Sequence, residues 1–311
     1  MDIAQLRTVL HVAELGSLSR AAERLHIAQP ALSRQVRLLE QELGTRLFSR
    51  HGRGMQLTEA GQELLLHARQ IMRELEAIRS LPFGGDDVPL RGEASIGMPP
   101  TVAAILAIPL ARAFRRAHPE ARLRIVSAYS AFLMDWLRRG DLDIAILYET
   151  QPLRWLRASQ LLEEELFLVG PADSGLDQSV PVAARRLADL PMILSGSRHG
   201  MRETVERLVQ TAGVTANVVL EADSLSVLKD MVQNGLGYTV LPASPIREDI
   251  GRGSLRIAPL VDPRAGWQLM LTVPVDRHPS RLLGYLERTV VSETAALVQS
   301  GTWEGRLPDS G

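Results

Sequence analysis

The chain has no cysteine, which excludes disulfides, thiolate metal sites, iron–sulfur clusters and a cysteine nucleophile. Lysine is almost missing too. Lys229 stands alone among 35 basic residues, and the arginine bias is what a GC-rich genome produces without functional pressure. No apolar run approaches the roughly 18 residues of a membrane-spanning helix, so no membrane partner is expected. The amino terminus opens straight into an amphipathic pattern (Ile3, Leu6, Leu10, Ala13) instead of a signal-peptide core, which points to the cytoplasm. Enzyme signatures are missing as well: there is no GxSxG, no P-loop, no GxGxxG after a strand and no HExxH. The 7 histidines show no metal-ligand spacing. Asp141 and Asp143 flank Leu142 at a strand entry, where capping and exposure to solvent account for them. No catalytic residue, metal or cofactor is expected. With a net charge of −1, bulk charge says nothing about a polyanionic partner.

A length of 311 residues suggests two domains, and 45% hydrophobic residues suffice for real cores. Charge distribution says more than charge total, because the first 57 residues carry a mild positive balance. Within them, Ala21-Ala22-Glu23-Arg24-Leu25 and Gln29-Pro30-Ala31-Leu32-Ser33-Arg34-Gln35 read as a short helix, a tight turn and a second helix opened by proline. That is a helix-turn-helix, whose second helix enters the DNA major groove. Leu25, Leu32, Val36 and Leu39 recur at helical spacing on the inner face. Leu43-Gly44 carries a glycine C-cap signal. Two short strands around His51-Gly52-Arg53 then read as an arginine-bearing wing that reaches phosphates or the minor groove. From Thr58 a helix runs to about Arg79, with Leu64, Ala68, Ile71, Leu75 and Ile78 in a coiled-coil rhythm. A dimer helix and a helix packed on its own domain both fit that rhythm.

Residues 80–92, rich in proline, glycine and aspartate, form a linker. Beyond it strands and helices alternate, with strands at Ala94–Met98, Leu123–Ser127, Asp143–Leu147, Leu166–Val169, Met192–Leu194, Val218–Glu221 and Tyr238–Leu241. The pattern is α/β with a mostly parallel sheet expected.

Leu6, Ala21-Ala22, Leu25, Gln29-Pro30-Ala31-Leu32-Ser33, Leu38, Glu40, Leu43-Gly44, Leu47-Phe48, Arg50, Leu57-Thr58 and Gly61 together resemble the LysR-type transcriptional regulators. Gly140 to Ala145 and Gly235 to Pro242 resemble that family's effector domain. Tyr148-Glu149 and Ser197-Arg198-His199-Gly200 resemble the branch of nitrogen-assimilation and cyanate regulators. The resemblance implies a multidomain α and α/β fold: a winged helix-turn-helix (1–58), a linker and dimerisation helix (59–80), a linker (81–91) and a two-lobed effector domain similar to periplasmic binding proteins (92–297). Lobe I would take 92–162 and 268–297, lobe II 163–267, and 298–311 would be a tail. Ala28 departs from the family pattern, where serine or threonine is common, and puts one backbone contact in doubt.

The expected function is sequence-specific regulation of transcription, controlled by a small-molecule effector between the lobes. An effector-independent regulator with a vestigial pocket is the alternative. Gln29, Pro30, Ser33 and Arg34 are the expected base contacts, since glutamine reads adenine and arginine reads guanine bidentately. Ser17, Arg37, Arg50 and Arg53 are expected nearer phosphate or minor groove. The effector site is expected at strand ends and helix starts: Thr101, Ser127, Ser130, Ser197 and His199, with an anion among the candidate ligands. Expected partners are double-stranded DNA bearing an interrupted palindrome, further copies of the chain in a homodimer or homotetramer, and RNA polymerase.

Overall fold

The computed structural model describes residues 1–51, 54–79, 90–148, 153–196, 200–275 and 280–308. It divides into two compact units, Met1–Asp86 and Asp87–Gly311.

The first unit runs α1 (Ile3–Leu15), α2 (Leu18–Leu25), α3 (Gln29–Leu43), β1 (Phe48–His51), β2 (Gly54–Leu57) and α4 (Glu59–Arg79). A capping box starts α1: Gln5 N–H donates to Asp2 Oδ1 and Asp2 N–H to Gln5 Oε1, both at 2.8 Å. Gly16, left-handed at φ 61°, ends it, and Ser17 caps α2. His26, at φ 55°, turns the chain toward α3. That helix begins at Gln29, so Pro30 takes its second position and not its first. Nothing is lost, since none of the first four N–H groups of a helix has an intrahelical partner. Val9, Val12, Ala22, Leu32, Leu39 and Phe48 meet in one buried cluster.

Two side chains then fix the wing. Glu40 Oε1 accepts from Leu47 N–H at 2.8 Å and Phe48 N–H at 3.3 Å. Thr58 Oγ1 donates to the Arg46 carbonyl at 2.6 Å and accepts from Gly61 N–H at 3.0 Å. Gly61 lies so close to the wing that a Cβ there would sit 2.1 Å from the Leu47 carbonyl oxygen. Alanine in a helix interior normally gains about 1 kcal/mol over glycine. Here backbone must move, at a cost of about 1–3 kcal/mol, so Gly61→Ala is expected to lower the unfolding midpoint of the N-terminal unit. A raised midpoint in a urea titration would contradict this packing.

The second unit comprises β3 (Gly92–Met98), α5 (Pro100–Ala117), β4 (Ala121–Ser127), α6 (Ser130–Arg139), β5 (Ile144–Tyr148), β6 (Leu156–Glu165), β7 (Phe167–Pro171), β8 (Val182–Ala183), β9 (Met192–Leu194), α7 (Gly200–Thr211), β10 (Val218–Glu221), α8 (Leu225–Gln233), β11 (Thr239–Leu241), α9 (Arg247–Gly251), β12 (Leu255–Val261), β13 (Gly266–Pro274) and α10 (Arg281–Gln299). One sheet has the order β4-β3-β5-β13-β6. Fully buried Ile96, Leu106, Leu110, Phe114, Leu286 and Val290 pack α5 and α10 against it. The other lobe holds the sheet β11-β7-β12-β8 and the pair β10-β9, joined by a bridge between Met192 and Tyr238.

The sheets are mixed, not mostly parallel as the alternation suggests. β13 runs antiparallel to both β5 and β6, and β7 antiparallel to β11 and β12. The chain leaves the first lobe along β6 and returns along β13, and strands that exit and re-enter must run against each other. Asp143 also departs from expectation. Its Oδ2 accepts from Ser95 N–H at 2.8 Å and from Ser95 Oγ at 2.6 Å, tying β5 to β3 instead of facing solvent.

Candidate DNA-binding face and interlobe crevice

Leu32, Val36 and Leu39 turn inward on α3, so Gln29, Pro30, Arg34 and Arg37 point to solvent, with Ser33 half-buried among them. Gln29 Nε2 donates to Ser33 Oγ at 3.0 Å, which holds two expected base contacts one turn apart in a fixed relation. Among the described residues, Arg24 pairs with Glu14 at 3.7 Å and Arg20 donates to the Leu15 carbonyl. Neither Arg34 nor Arg37 has an ion pair with a described residue, so both cations remain free for phosphate or base edges. Gln35 turns the other way and accepts from Thr8 Oγ1 at 2.7 Å, locking α1 to α3. Ala28 supplies no side-chain cap at the start of α3.

Met55 N–H donates to the Gly16 carbonyl at 2.9 Å, docking the wing on the turn before α2. Gly54, at φ 130°, is required there, since a Cβ would meet the Gly16 oxygen at 2.5 Å. A hollow of about 230 Å³ lies between Ser17, Ser19, Gln29 and Met55, so Ser17 and Gln29 share one concavity. Arg50 is in β1; its side chain and all of Arg53 fall outside the described residues. On α4, Ala68 is fully buried, whereas Ile71 and Ile78 are 39% and 56% exposed. Leu64 and Ala68 thus serve the unit's own core, Leu75 is half-buried, and Ile71 and Ile78 are uncovered.

In the second unit, Thr101 is buried and its hydroxyl is bonded to the Tyr148 hydroxyl, so it is paired within the protein. Tyr148 stacks on Trp267 at 3.6 Å, and burial, reinforced by the Glu164 charge, holds its phenol well above the ordinary range. Ser127 is exposed at the end of β4. Ser130 Oγ and, in the other lobe, Ser195 Oγ are buried with no hydrogen-bond partner among the described residues. The start of α7 faces both Tyr148 and Ser130: a Cβ on Gly200 would lie 3.6 Å from Tyr148 Cβ and 3.8 Å from Ser130 Oγ. Tyr129 donates to the Asp223 carbonyl, and Asp223 Oδ1 accepts from Gly196 N–H at 2.9 Å, joining the two lobes. Burial first, and the Asp223 charge second, push the Tyr129 phenol up to about 12. Ser197 and His199 lie outside the described residues.

Sequence reasoning missed Glu164. It is 2% exposed, and burial pushes its carboxyl up to about 7 against the opposing pull of two indole donors. Trp303 Nε1 donates to Oε1 at 2.7 Å and Trp267 Nε1 to Oε2 at 3.1 Å. Among the described residues no group of His, Asp and Glu could hold a metal ion, and no helix is long and apolar enough to cross a membrane.

A winged helix-turn-helix with free cations on its outer face, in one chain with two α/β lobes around a crevice, defines a DNA-binding regulator. Residues 3–62 match the model of bacterial regulatory helix-turn-helix proteins of the lysR family, and residues 88–292 match the LysR substrate binding domain. The chain belongs to the LysR family of transcriptional regulators. It is 35% identical to the nitrogen assimilation regulatory protein nac of Klebsiella aerogenes, over 88% of each chain. It is 32% identical to the regulator BbuR of Bordetella bronchiseptica, over 98% of this chain and 94% of the relative. These matches support the nitrogen-assimilation branch. A full-length OxyR variant from Pseudomonas aeruginosa superposes with a TM-score of 0.75 at 24% identity, covering 94% of both chains. Full-length CbnR bound to its target DNA gives 0.66 at 21% identity, covering 94% of this chain and 100% of that one.

Proposed function

We propose that α3 reads the major groove through Gln29, Pro30, Ser33 and Arg34, while Ser17, Arg37, Arg50 and Arg53 contact phosphate or minor groove. The observation carrying this reading is the pair of guanidiniums, Arg34 and Arg37, without an ion-pair partner among the described residues, beside the Gln29–Ser33 bond on the face opposite the buried leucines of α3. A homodimer built along the uncovered side of α4 presents two such helices and reads an interrupted palindrome, and two dimers pair into a tetramer. The cytoplasm, where DNA and RNA polymerase are met, is its place of action. Arg37→Ala is expected to weaken binding about equally on every sequence and to flatten the dependence of log K on log salt by about one per protomer. Binding isotherms at several salt concentrations decide this. A slope equal to that of the unaltered protein would remove Arg37 from the phosphate contacts.

The effector reading rests on two buried hydroxyls without a partner among the described residues, Ser130 beside the start of α7 and Ser195 in the other lobe. The α5 start is the poorer anion end, since Pro99 and Pro100 carry no N–H. A ligand at 100 times its Kd adds about 2.7 kcal/mol to native stability. A metabolite that raises the melting temperature of the unaltered protein but not of Ser130→Ala with Ser195→Ala supports this site. No shift across a broad panel of carboxylates and neutral metabolites favours effector-independent regulation.

A further inference from the structure

The segment that follows α10 packs back onto the second unit. Trp303 is 1% exposed, and its indole reaches Glu164 on β6, whose other carboxylate oxygen takes the indole of Trp267 on β13. Those are the two strands along which the chain passes between lobes. One carboxyl therefore ties both connections to the C-terminal segment. Beyond Trp303 the segment pairs with β6, the edge strand of its sheet. Glu163 N–H donates to the Arg306 carbonyl at 2.9 Å and Arg306 N–H to the Glu163 carbonyl at 2.8 Å, with the Arg306 guanidinium 2.5 Å from the Glu163 carboxylate. Gly305 permits the approach, since a Cβ there would stand 2.8 Å from the Glu163 carbonyl.

The same segment is fastened to the second lobe. Glu304 N–H donates to Ser244 Oγ at 2.8 Å, and the Arg247 guanidinium donates to the Gly301 carbonyl at 2.5 Å. Ser244 and Arg247 follow β11 in the second lobe, while α10, from which the segment springs, packs on α5 and β3 in the first.

We propose that residues 300–307 form a strap across the hinge, setting the angle between the two lobes. Rotation of the second lobe about β6 and β13 pulls Ser244 and Arg247 away from a segment anchored on the first. The strap therefore adds its bonds to whichever lobe angle keeps both ends attached, and biases the opening equilibrium by that amount. The proposal rests on the two-lobed reading alone, and its test needs neither effector nor DNA.

The absence of cysteine makes the test direct. Ala131→Cys on α6 and Val227→Cys on α8, both exposed, carry spin labels in the full chain, mixed with excess unlabelled protein so that only pairs within one protomer are read. Three variants are compared with the parent: Trp303→Ala; Ser244→Ala with Arg247→Ala, which frees the second lobe while leaving Trp303 in place; and Leu228→Ala, which weakens the second lobe's core without removing any strap bond. Both strap variants are expected to shift the mean distance and at least about double the width of its distribution. Leu228→Ala should lower the melting temperature with the parent distribution intact. If Trp303→Ala fails to fold, the Ser244/Arg247 variant decides alone. Parent-like distances in the strap variants, whatever their melting temperatures, overturn the proposal and make the segment a stabilising cap.

Discussion

Replacing Ser33 and Arg34 together by alanine is expected to abolish specific DNA binding while leaving the melting temperature of the protein almost unchanged. A good bidentate arginine–guanine pair contributes about 1–3 kcal/mol of discrimination. A dimer loses that on both half-sites, which amounts to about 2–6 kcal/mol, or about 30-fold to 10⁴-fold in affinity. Losing Ser33 also frees Gln29, whose amide is held by the serine hydroxyl. Stability should hold, because Arg34 is exposed and makes no ion pair with a described residue, and surface changes of this kind usually stay within about 0.5 kcal/mol. Non-specific binding, carried by phosphate contacts elsewhere, should persist at low salt. Titrating labelled duplex against both proteins at one fixed salt concentration checks each part. Equal affinity of variant and parent for the specific site would remove this face of α3 from recognition.

Glu164 supplies the second large effect, a pH dependence of stability with an unusual sign for a carboxyl. Burial raises its folded-state value from the ordinary 4.5 to about 7, so the folded protein binds a proton that the unfolded chain releases. The associated stabilisation is present below about pH 4.5 and is lost as pH rises through about 7, a change on the order of 3 kcal/mol. Glu164→Gln removes that slope. Against the protonated parent it also costs roughly 1–3 kcal/mol, since an amide presents only one acceptor oxygen to two indole donors. His118 works in the opposite direction, because burial lowers its imidazole and the folded protein prefers it neutral. The difference between parent and variant therefore isolates Glu164 better than either curve alone. Urea unfolding from pH 5 to pH 8 should give two curves that converge as pH rises, and parallel curves would contradict the assignment.

The N-terminal unit is legible in the sequence because its signals are local. Gly44 adopts the left-handed conformation that its C-cap position implies, and Leu32, Val36 and Leu39 are buried at the spacing they display. Met192–Leu194 and Val218–Glu221 are legible for the same reason, as short apolar runs between breakers. β6 and β13 are not, because their pairing joins residues about a hundred positions apart and β6 mixes apolar with charged residues. Glu164 hides inside Glu163-Glu164-Glu165, which reads as a solvated acidic run. Strand alternation exposes Glu165 and buries Glu164, and period two is hard to see in three identical residues. The clue was in the scarce aromatics: Trp267 and Trp303 each carry an N–H that needs an acceptor once buried. On the DNA face, Glu40 and Gly61 are visible as motif residues, but their work is structural, fixing the wing through Leu47, and only coordinates reveal that.

Selection from a randomised DNA pool, run in parallel with the unaltered protein and with Arg34→Ala, tests most directly whether α3 is the reading element. The unaltered protein is expected to enrich one interrupted palindrome, and Arg34→Ala to lose preference at one base pair, symmetrically placed in each half-site. Enrichment of the same motif at full strength by both proteins, or of no motif by either, would contradict that role for α3.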